Sequence, residues 1–120
     1  MLVMDGSVGG RGGTALRIHG IDTGRALPLA WRVRQGPTGP FPAALHLAVV
    51  ARRSTVIPAR AKVVLLGDGA CAGTALQATL HEAGWSSVCR TALSTTAPGE
   101  GTTCRLDTLG AWSQPGTRIA

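Results

Sequence analysis

The alternation of apolar and polar positions in the first part of the chain predicts three strands joined by short turns. An apolar segment at residues 1–4 stops at Asp5-Gly6-Ser7, residues 14–19 alternate weakly, and residues 25–34 form a third extended segment. Consecutive strands with connections this short pair in antiparallel fashion. The pattern therefore predicts an antiparallel meander.

The third of these segments has its apolar residues on one face and also contains a proline. The apolar positions are Leu27, Leu29, Trp31 and Val33. Their spacing of two predicts that this face packs into the core, with Trp31 as a core residue. Pro28 cannot donate a hydrogen bond to a neighbouring strand, so we expect the segment to lie at a sheet edge or to contain a bulge.

The middle of the chain changes to helical periodicity and then alternates between helix and strand. A helix is predicted over residues 41–54, beginning near Pro42. Residues 61–66 are a continuous apolar run, typical of a buried strand. A second helix over residues 74–83 is capped by Gly84, and residues 85–91 form a fifth strand. The predicted order is three antiparallel strands, then α-β-α-β, which is an α/β class.

Charge is concentrated in one half of the chain. The net charge is +6, and residues 1–60 contain eight arginines against Asp5 and Asp22. A basic half favours a polyanionic partner such as nucleic acid. A genome rich in G and C would produce the same excess of Arg, Ala and Gly, so charge alone does not decide the function.

The composition excludes several classes of protein. Apolar residues make up 44% of the chain, too many for a disordered tail. No apolar run approaches the ~20 residues of a membrane span, and the N-terminal residues lack the pattern of a secretory signal. We therefore expect no membrane association and a cytoplasmic location.

The three cysteines do not form a recognisable framework. Cys71, Cys89 and Cys104 are widely spaced, odd in number and lack a Cys-x-x-Cys pair. This pattern predicts buried or inert thiols in a reducing compartment. A zinc site that includes His81 is a less favoured alternative, because structural zinc ligands usually occur in closely spaced pairs.

Two aspartates occupy matching places after apolar segments. Asp5 follows residues 1–4, and Asp68 follows residues 61–66 after Gly67. If the two strands are neighbours, both carboxylates project from one edge of the sheet, and adjacent glycines leave room for a ligand. Paired carboxylates are typical Mg²⁺ ligands, and two such ions ~3.5–4 Å apart promote phosphodiester chemistry. Each Asp-Gly taken alone is also a common turn.

The same residues also resemble a different kind of site. Residues 67–73, Gly-Asp-Gly-Ala-Cys-Ala-Gly, follow a strand and precede a helix, as a dinucleotide-binding glycine loop does. An aspartate in the phosphate cradle would repel a pyrophosphate. In addition, Arg90 stands at the end of the next strand, where an acidic residue is expected. Dinucleotide binding is therefore the less favoured alternative.

The motifs taken together resemble the catalytic domain of the DDE transposases of bacterial insertion sequences. The resemblance extends in consistent order from residue 2 to about residue 92. It is carried by Asp5-Gly6-Ser7, residues 24–31 (GRALPLAW), Phe41-Pro42 with His46, Ile57-Pro58, residues 63–69 (VVLLGDG), Gly73, Gly84-Trp85 and residues 88–92 (VCRTA).

The resemblance implies an RNase H-like fold of order β-β-β-α-β-α-β. It implies that Asp5 and Asp68 are the first two members of an acidic triad that binds two Mg²⁺ ions. These ions support strand cleavage and strand transfer at transposon DNA ends, and intact transposases self-associate. The third member is a Glu on a later helix, to which Glu82, Glu100 and Asp107 do not correspond.

The chain is accordingly expected to be a fragment that is truncated at the N-terminus and also before the helix with the third acid. Residues 1–92 would form a partial catalytic core, and residues 93–120 the start of a β-rich insertion or an irregular tail. Lacking a third carboxylate, the isolated chain is expected to be inactive. The alternative is a non-catalytic DNA-binding remnant that uses the Arg-rich half. The sequence does not indicate which residues bind DNA.

Overall fold

A computed structural model describes residues 1–36, 39–98 and 101–111, with side chains at all of these positions except 53, 54, 109 and 110. The contacts within the chain divide it into two units, Met1–Arg90 and Thr91–Ala120. Glu100 and the tail from residue 112 onward, which the sequence analysis considered, lie outside the described residues.

The Met1–Arg90 unit combines five strands with short helices. Its strands are β1 (Leu2–Val8), β2 (Gly13–Asp22), β3 (Arg25–Gln35), β4 (Val64–Gly67) and β5 (Ser86–Cys89). Its helices are α1 (Ala43–Ala51), α2 (Arg53–Val56) and α3 (Thr74–Glu82), with 3-10 turns at Gly10–Gly12 and Gly69–Ala72. The predicted mixed α/β class is confirmed.

The five strands form one mixed sheet in the order β3-β2-β1-β4-β5. The β1–β2 and β2–β3 pairs are antiparallel, so the predicted meander is confirmed. The β1–β4 and β4–β5 pairs are parallel. Parallel neighbours need crossover connections, and the segments that contain α1 and α3 provide them. This topology makes β1 and β4 adjacent.

The helix boundaries follow the residues that the sequence marked. Helix α1 begins directly after Pro42, whose backbone takes the N-cap position. After α3, Gly84 adopts a positive φ of 71°, and its N–H donates to the carbonyl of His81. A left-handed residue at this position suits glycine because it has no Cβ. The predicted cap at Gly84 is confirmed.

The hydrophobic core lies on one face of the sheet. Alternate residues of β1, β2 and β4 pack there against apolar residues of α1 and α3. The most deeply buried of these are Leu65, Leu76, Leu80, Val49 and Val50. Trp85 is half-buried and packs against the same cluster.

The prediction that one apolar face of β3 packs into the core was wrong. Trp31 is 54% exposed and Val33 is 65% exposed, whereas Leu29 packs against the core. The reason is a bulge. The β2–β3 register shifts between Ile18 and His19, so Leu29 has no partner residue on β2. One extra residue reverses which residues of a strand face the core.

The described part of the Thr91–Ala120 unit is a short hairpin followed by a helix. Strands β6 (Thr96–Pro98) and β7 (Thr103–Arg105) pair in antiparallel fashion, and α4 spans Leu106–Ala111. The Arg105 guanidinium forms an ion pair with Asp107, and this contact lowers the pKa of the Asp107 carboxyl group. Neither unit, in its described residues, contains a helix long and apolar enough to cross a membrane.

Candidate functional site

Asp5 lies in the middle of β1, and not at its end as predicted. The strand continues to Val8, and Asp5 is exposed opposite Arg17 of β2. The prediction failed because β2 supplies pairing partners along the whole of β1, as far as the Val8–Thr14 pair. Pairing with a neighbouring strand thus overrides the local turn tendency of Asp-Gly-Ser.

Asp68 follows β4 directly and caps the 3-10 turn at Gly69–Ala72. Its Oδ1 accepts a hydrogen bond from the backbone N–H of Ala70 at 3.0 Å. This contact fixes the orientation of the carboxylate. A carboxylate has about four lone-pair positions, so one such bond leaves room for a cation.

The sheet brings the two carboxylates to one cavity. Val3 of β1 pairs with Leu66 of the parallel strand β4. Asp5 lies two residues after Val3, and Asp68 lies two residues after Leu66. Residues two apart project from the same face of a sheet. Asp5 and Asp68 accordingly line one cavity of about 440 Å³. A second recess of about 180 Å³, lined by both aspartates, extends toward Phe41.

Arg90 is one of the residues that line the 440 Å³ cavity, called the Asp5–Asp68 cavity below. Gly67 of β4 pairs with Cys89 of β5 in parallel register. Asp68 follows Gly67 and Arg90 follows Cys89, so the two charged residues leave neighbouring strands at the same edge of the sheet. The backbone N–H of Arg90 also donates to the Gly67 carbonyl at 3.1 Å. Arg90 forms no ion pair with either aspartate in the described structure, but a guanidinium near a cation would oppose its binding.

The donor set fits one Mg²⁺ ion better than two. Among the described residues, no group of three or more His, Cys, Asp or Glu side chains is placed to hold a metal. Mg²⁺ keeps several waters and is often bound through only one or two carboxylates. Two carboxylates could supply the protein ligands of one hydrated ion, while a two-metal arrangement would require further ligands.

Two of the three glycines beside the aspartates serve packing, so the space that the sequence predicts for a ligand is open only at Gly69, where a Cβ would lie 3.7 Å from the Arg90 carbonyl oxygen. A Cβ on Gly6 would lie 2.5 Å from Cε2 of Phe41, and a Cβ on Gly67 would lie 2.5 Å from the Sγ of Cys71. Protein atoms thus fill the space above both glycines. This close packing supports the backbone on which Asp5 and Asp68 are mounted.

We predict that Gly67→Ala destabilises the Met1–Arg90 unit. The new methyl group must displace the buried Cys71 side chain, and overpacking of this kind costs roughly 1–3 kcal/mol. Urea denaturation followed by circular dichroism measures the change. Gly39→Ala is the matched control, because a Cβ at Gly39 meets nothing within 4 Å. Equal midpoints for the two variants would contradict the packing role of Gly67.

Two of the three cysteines lie together behind this site. The Sγ of Cys89 is 3.5 Å from the carbonyl oxygen of Cys71, and the amide of Gln77 donates to that oxygen and to the Cys89 sulfur. Burial, and then the charge of Asp68, raise the pKa of Cys71 to about 11, and burial also raises the pKa of Cys89. Both thiols are therefore protonated near neutral pH, as expected for inert thiols.

The alternative zinc and dinucleotide sites gain no support from the local geometry. His81 is exposed on α3, and the described residues contain no metal-binding group that includes it. In the glycine loop, the Asp68 carboxylate accepts the Ala70 N–H. A negative charge therefore occupies the place where a phosphate would have to bind.

Comparisons with protein-family models, with curated proteins and with solved structures found no match to this chain. The placement of Asp5 and Asp68 around one cavity is thus the main guide to its function.

Proposed function

We propose that this chain has the RNase H-like catalytic fold of a DDE transposase, with Asp5 and Asp68 as Mg²⁺ ligands for DNA strand cleavage and strand transfer. The observation that carries the proposal is the shared Asp5–Asp68 cavity, built from adjacent parallel strands. The chain order of strands and helices also agrees with the order that the resemblance implies, apart from the added short helix α2.

Each charged residue of the cavity has a distinct part in this proposal. Asp5 and Asp68 would hold the ion, and the hydrogen bond from the Ala70 N–H restricts the orientation of the Asp68 carboxylate. Bound Mg²⁺ supplies an activated water or hydroxyl and stabilises negative charge on the phosphate oxygens. Arg90, in the same cavity, contacts a phosphate of the DNA when one is present.

The third acidic residue is not found beside these two in the described structure. Glu82 is exposed on α3 of the Met1–Arg90 unit and does not line the cavity. Asp107 belongs to the Thr91–Ala120 unit and is paired with Arg105. Because two carboxylates hold Mg²⁺ less tightly than three, we expect weak metal binding and no strand transfer by these 120 residues alone.

A Mg²⁺ titration by isothermal calorimetry tests the metal site. We expect Asp5→Asn and Asp68→Asn each to weaken binding by about tenfold or more, because each removes one of two charged ligands. Asp22→Asn makes the same change of charge at the β2–β3 turn and should bind Mg²⁺ like the original chain. The site is disproved if all three variants lose affinity equally or if none does.

A second candidate function is DNA binding without catalysis, favoured by the charge of the β2–β3 hairpin. Residues 13–35 contain four arginines and one aspartate, a net charge of +3. Binding through phosphate contacts weakens steeply with salt and does not depend on the metal site. It should therefore persist in the Asp5→Asn and Asp68→Asn variants.

A further inference from the structure

The exposed face of the sheet carries a tryptophan in a row with the proposed metal site. Trp31 of β3 pairs with Arg17 of β2, and Arg17 pairs with Asp5 of β1. Side chains of directly paired residues in antiparallel strands lie on the same face. Since adjacent strands are ~4.8 Å apart, the backbones of Trp31 and Asp5 are separated by roughly 10 Å.

Trp31 forms a wall of a recess of about 450 Å³, called the Trp31 recess below. The lining residues are Ala15, Arg17, His19, Pro28, Trp31 and Val33. Its walls are thus mostly apolar, with one guanidinium and one imidazole as polar groups. Recesses of this volume accept planar organic ligands, and polar groups such as these fix their orientation.

The surrounding charge favours a polyanion as the occupant of this face. The cation of the recess is Arg17, and the hairpin that contains the recess has a net charge of +3, with Arg32 and Arg34 of β3 on the other face of the sheet. Sites for single-stranded nucleic acid combine aromatic rings, on which bases stack, with cationic side chains that bind phosphates. A base inside a duplex does not offer a free ring face, so the fitting ligand is an unpaired strand.

We propose that the Trp31 recess binds single-stranded nucleic acid, with a base stacked on the Trp31 indole and Arg17 in contact with an adjacent phosphate. The inference rests on the proposed function only in that the ligand is a nucleic acid, and it requires no metal ion. Because the recess and the Asp5–Asp68 cavity share His19 as a lining residue, a strand held at Trp31 continues toward the proposed metal site.

The test is fluorescence anisotropy of a labelled oligothymidylate with the full chain, at low salt and with a chelator present. Base stacking on an aromatic residue is worth ~1–3 kcal/mol, so Trp31→Ala should weaken binding by about 5- to 150-fold. Trp31→Phe should retain most of the affinity. Val88→Ala, which removes an exposed apolar side chain of the sheet outside the recess, should have little effect.

The charge contribution is tested by Arg17→Ala. Loss of one phosphate contact should lower the affinity and reduce the slope of log affinity against log salt by about one. Arg32→Ala is the matched control, because Arg32 is exposed on the same strand as Trp31 but outside the recess. Circular dichroism of each variant verifies that the fold is retained.

Three results would overturn the proposal. One is an affinity for oligothymidylate that Trp31→Ala leaves unchanged, and another is equal binding of a duplex of the same length. The third is a dimer, detected by sedimentation, that Trp31→Ala converts to a monomer while the nucleic-acid affinity stays the same. That result would mean that the face binds a second copy of the chain. Repeating the titration with Asp5→Asn/Asp68→Asn separates this proposal from the metal site, since removing two negative charges near the bound strand should leave its affinity equal or higher.

Discussion

Leu65→Ala is expected to remove a large part of the stability of the Met1–Arg90 unit. Leu65 is fully buried on β4, between β1 and β5, and its partner across the β1–β4 pair is Leu2. A Leu→Ala change at such a position costs roughly 2–5 kcal/mol, because it loses apolar burial and leaves a cavity. A small domain is stable by only about 5–15 kcal/mol.

The free energy of unfolding of the Met1–Arg90 unit is expected to lie at the low end of this 5–15 kcal/mol range, about 5 kcal/mol. The core occupies one face of the sheet, while the opposite face leaves Trp31, Val33 and Val88 largely exposed. A chain of this size buries a modest share of its surface on folding. The original chain should accordingly unfold at low urea concentration, and Leu65→Ala, left with roughly 0–3 kcal/mol, should unfold at a still lower concentration.

Urea denaturation followed by far-ultraviolet circular dichroism measures the effect. Val88→Ala provides the control, because Val88 lies on the neighbouring strand β5 but is 61% exposed. We expect its free energy of unfolding to stay within about 0.5 kcal/mol of the original. A Leu65→Ala midpoint equal to that of Val88→Ala would contradict the assignment of the core. A cooperative thermal transition of the original chain at high temperature, in metal-free buffer, would contradict its expected low stability.

The sequence predicted elements whose cause is local and missed those whose cause is pairing at a distance. Gly84 ends α3 because of its own backbone freedom, and Pro42 precedes α1 because its φ suits a helix start. The bulge at Leu29 has no such local cause. It arises where the β2–β3 register shifts, and it moves Trp31 from the predicted core to the surface.

In the candidate site, too, the sequence predicted features with a local cause and missed those that depend on strand pairing. Asp5 and Asp68 were identified from their positions after apolar segments, but the extension of β1 beyond Asp5 depends on pairing with β2. The sequence did not predict that Arg90 lies beside these aspartates. Its place in the Asp5–Asp68 cavity follows from the β4–β5 register. The sequence did contain a sign of this proximity, because Arg90 and Asp68 each stand at the end of a predicted strand. The carboxyl ends of parallel strands meet at one edge of a sheet.

Arg90→Glu is expected to strengthen Mg²⁺ binding, which is the second large effect that the structure predicts. The change removes a cation from the Asp5–Asp68 cavity and puts a third carboxylate in its place. The charge near a divalent ion thus becomes more negative by two, and carboxylate ligands are the ones that Mg²⁺ prefers. Because exposed charges interact weakly in water, we expect a gain in affinity of about ten- to thirtyfold and not more.

Two variants separate the local effect from the change of overall charge. Arg90→Gln removes the positive charge without adding a ligand, so its Mg²⁺ affinity should lie between those of the original chain and Arg90→Glu. Arg60→Glu makes the same change of charge at a site away from the cavity. Arg60 lies in the loop before β4, whereas Asp68 follows the opposite end of that strand. Interactions between exposed charges beyond about 10 Å are largely screened at 0.1 M salt, so Arg60→Glu should have little effect. If Arg60→Glu matched Arg90→Glu in calorimetry, the gain would come from net charge, and Arg90 would have no particular place beside the metal.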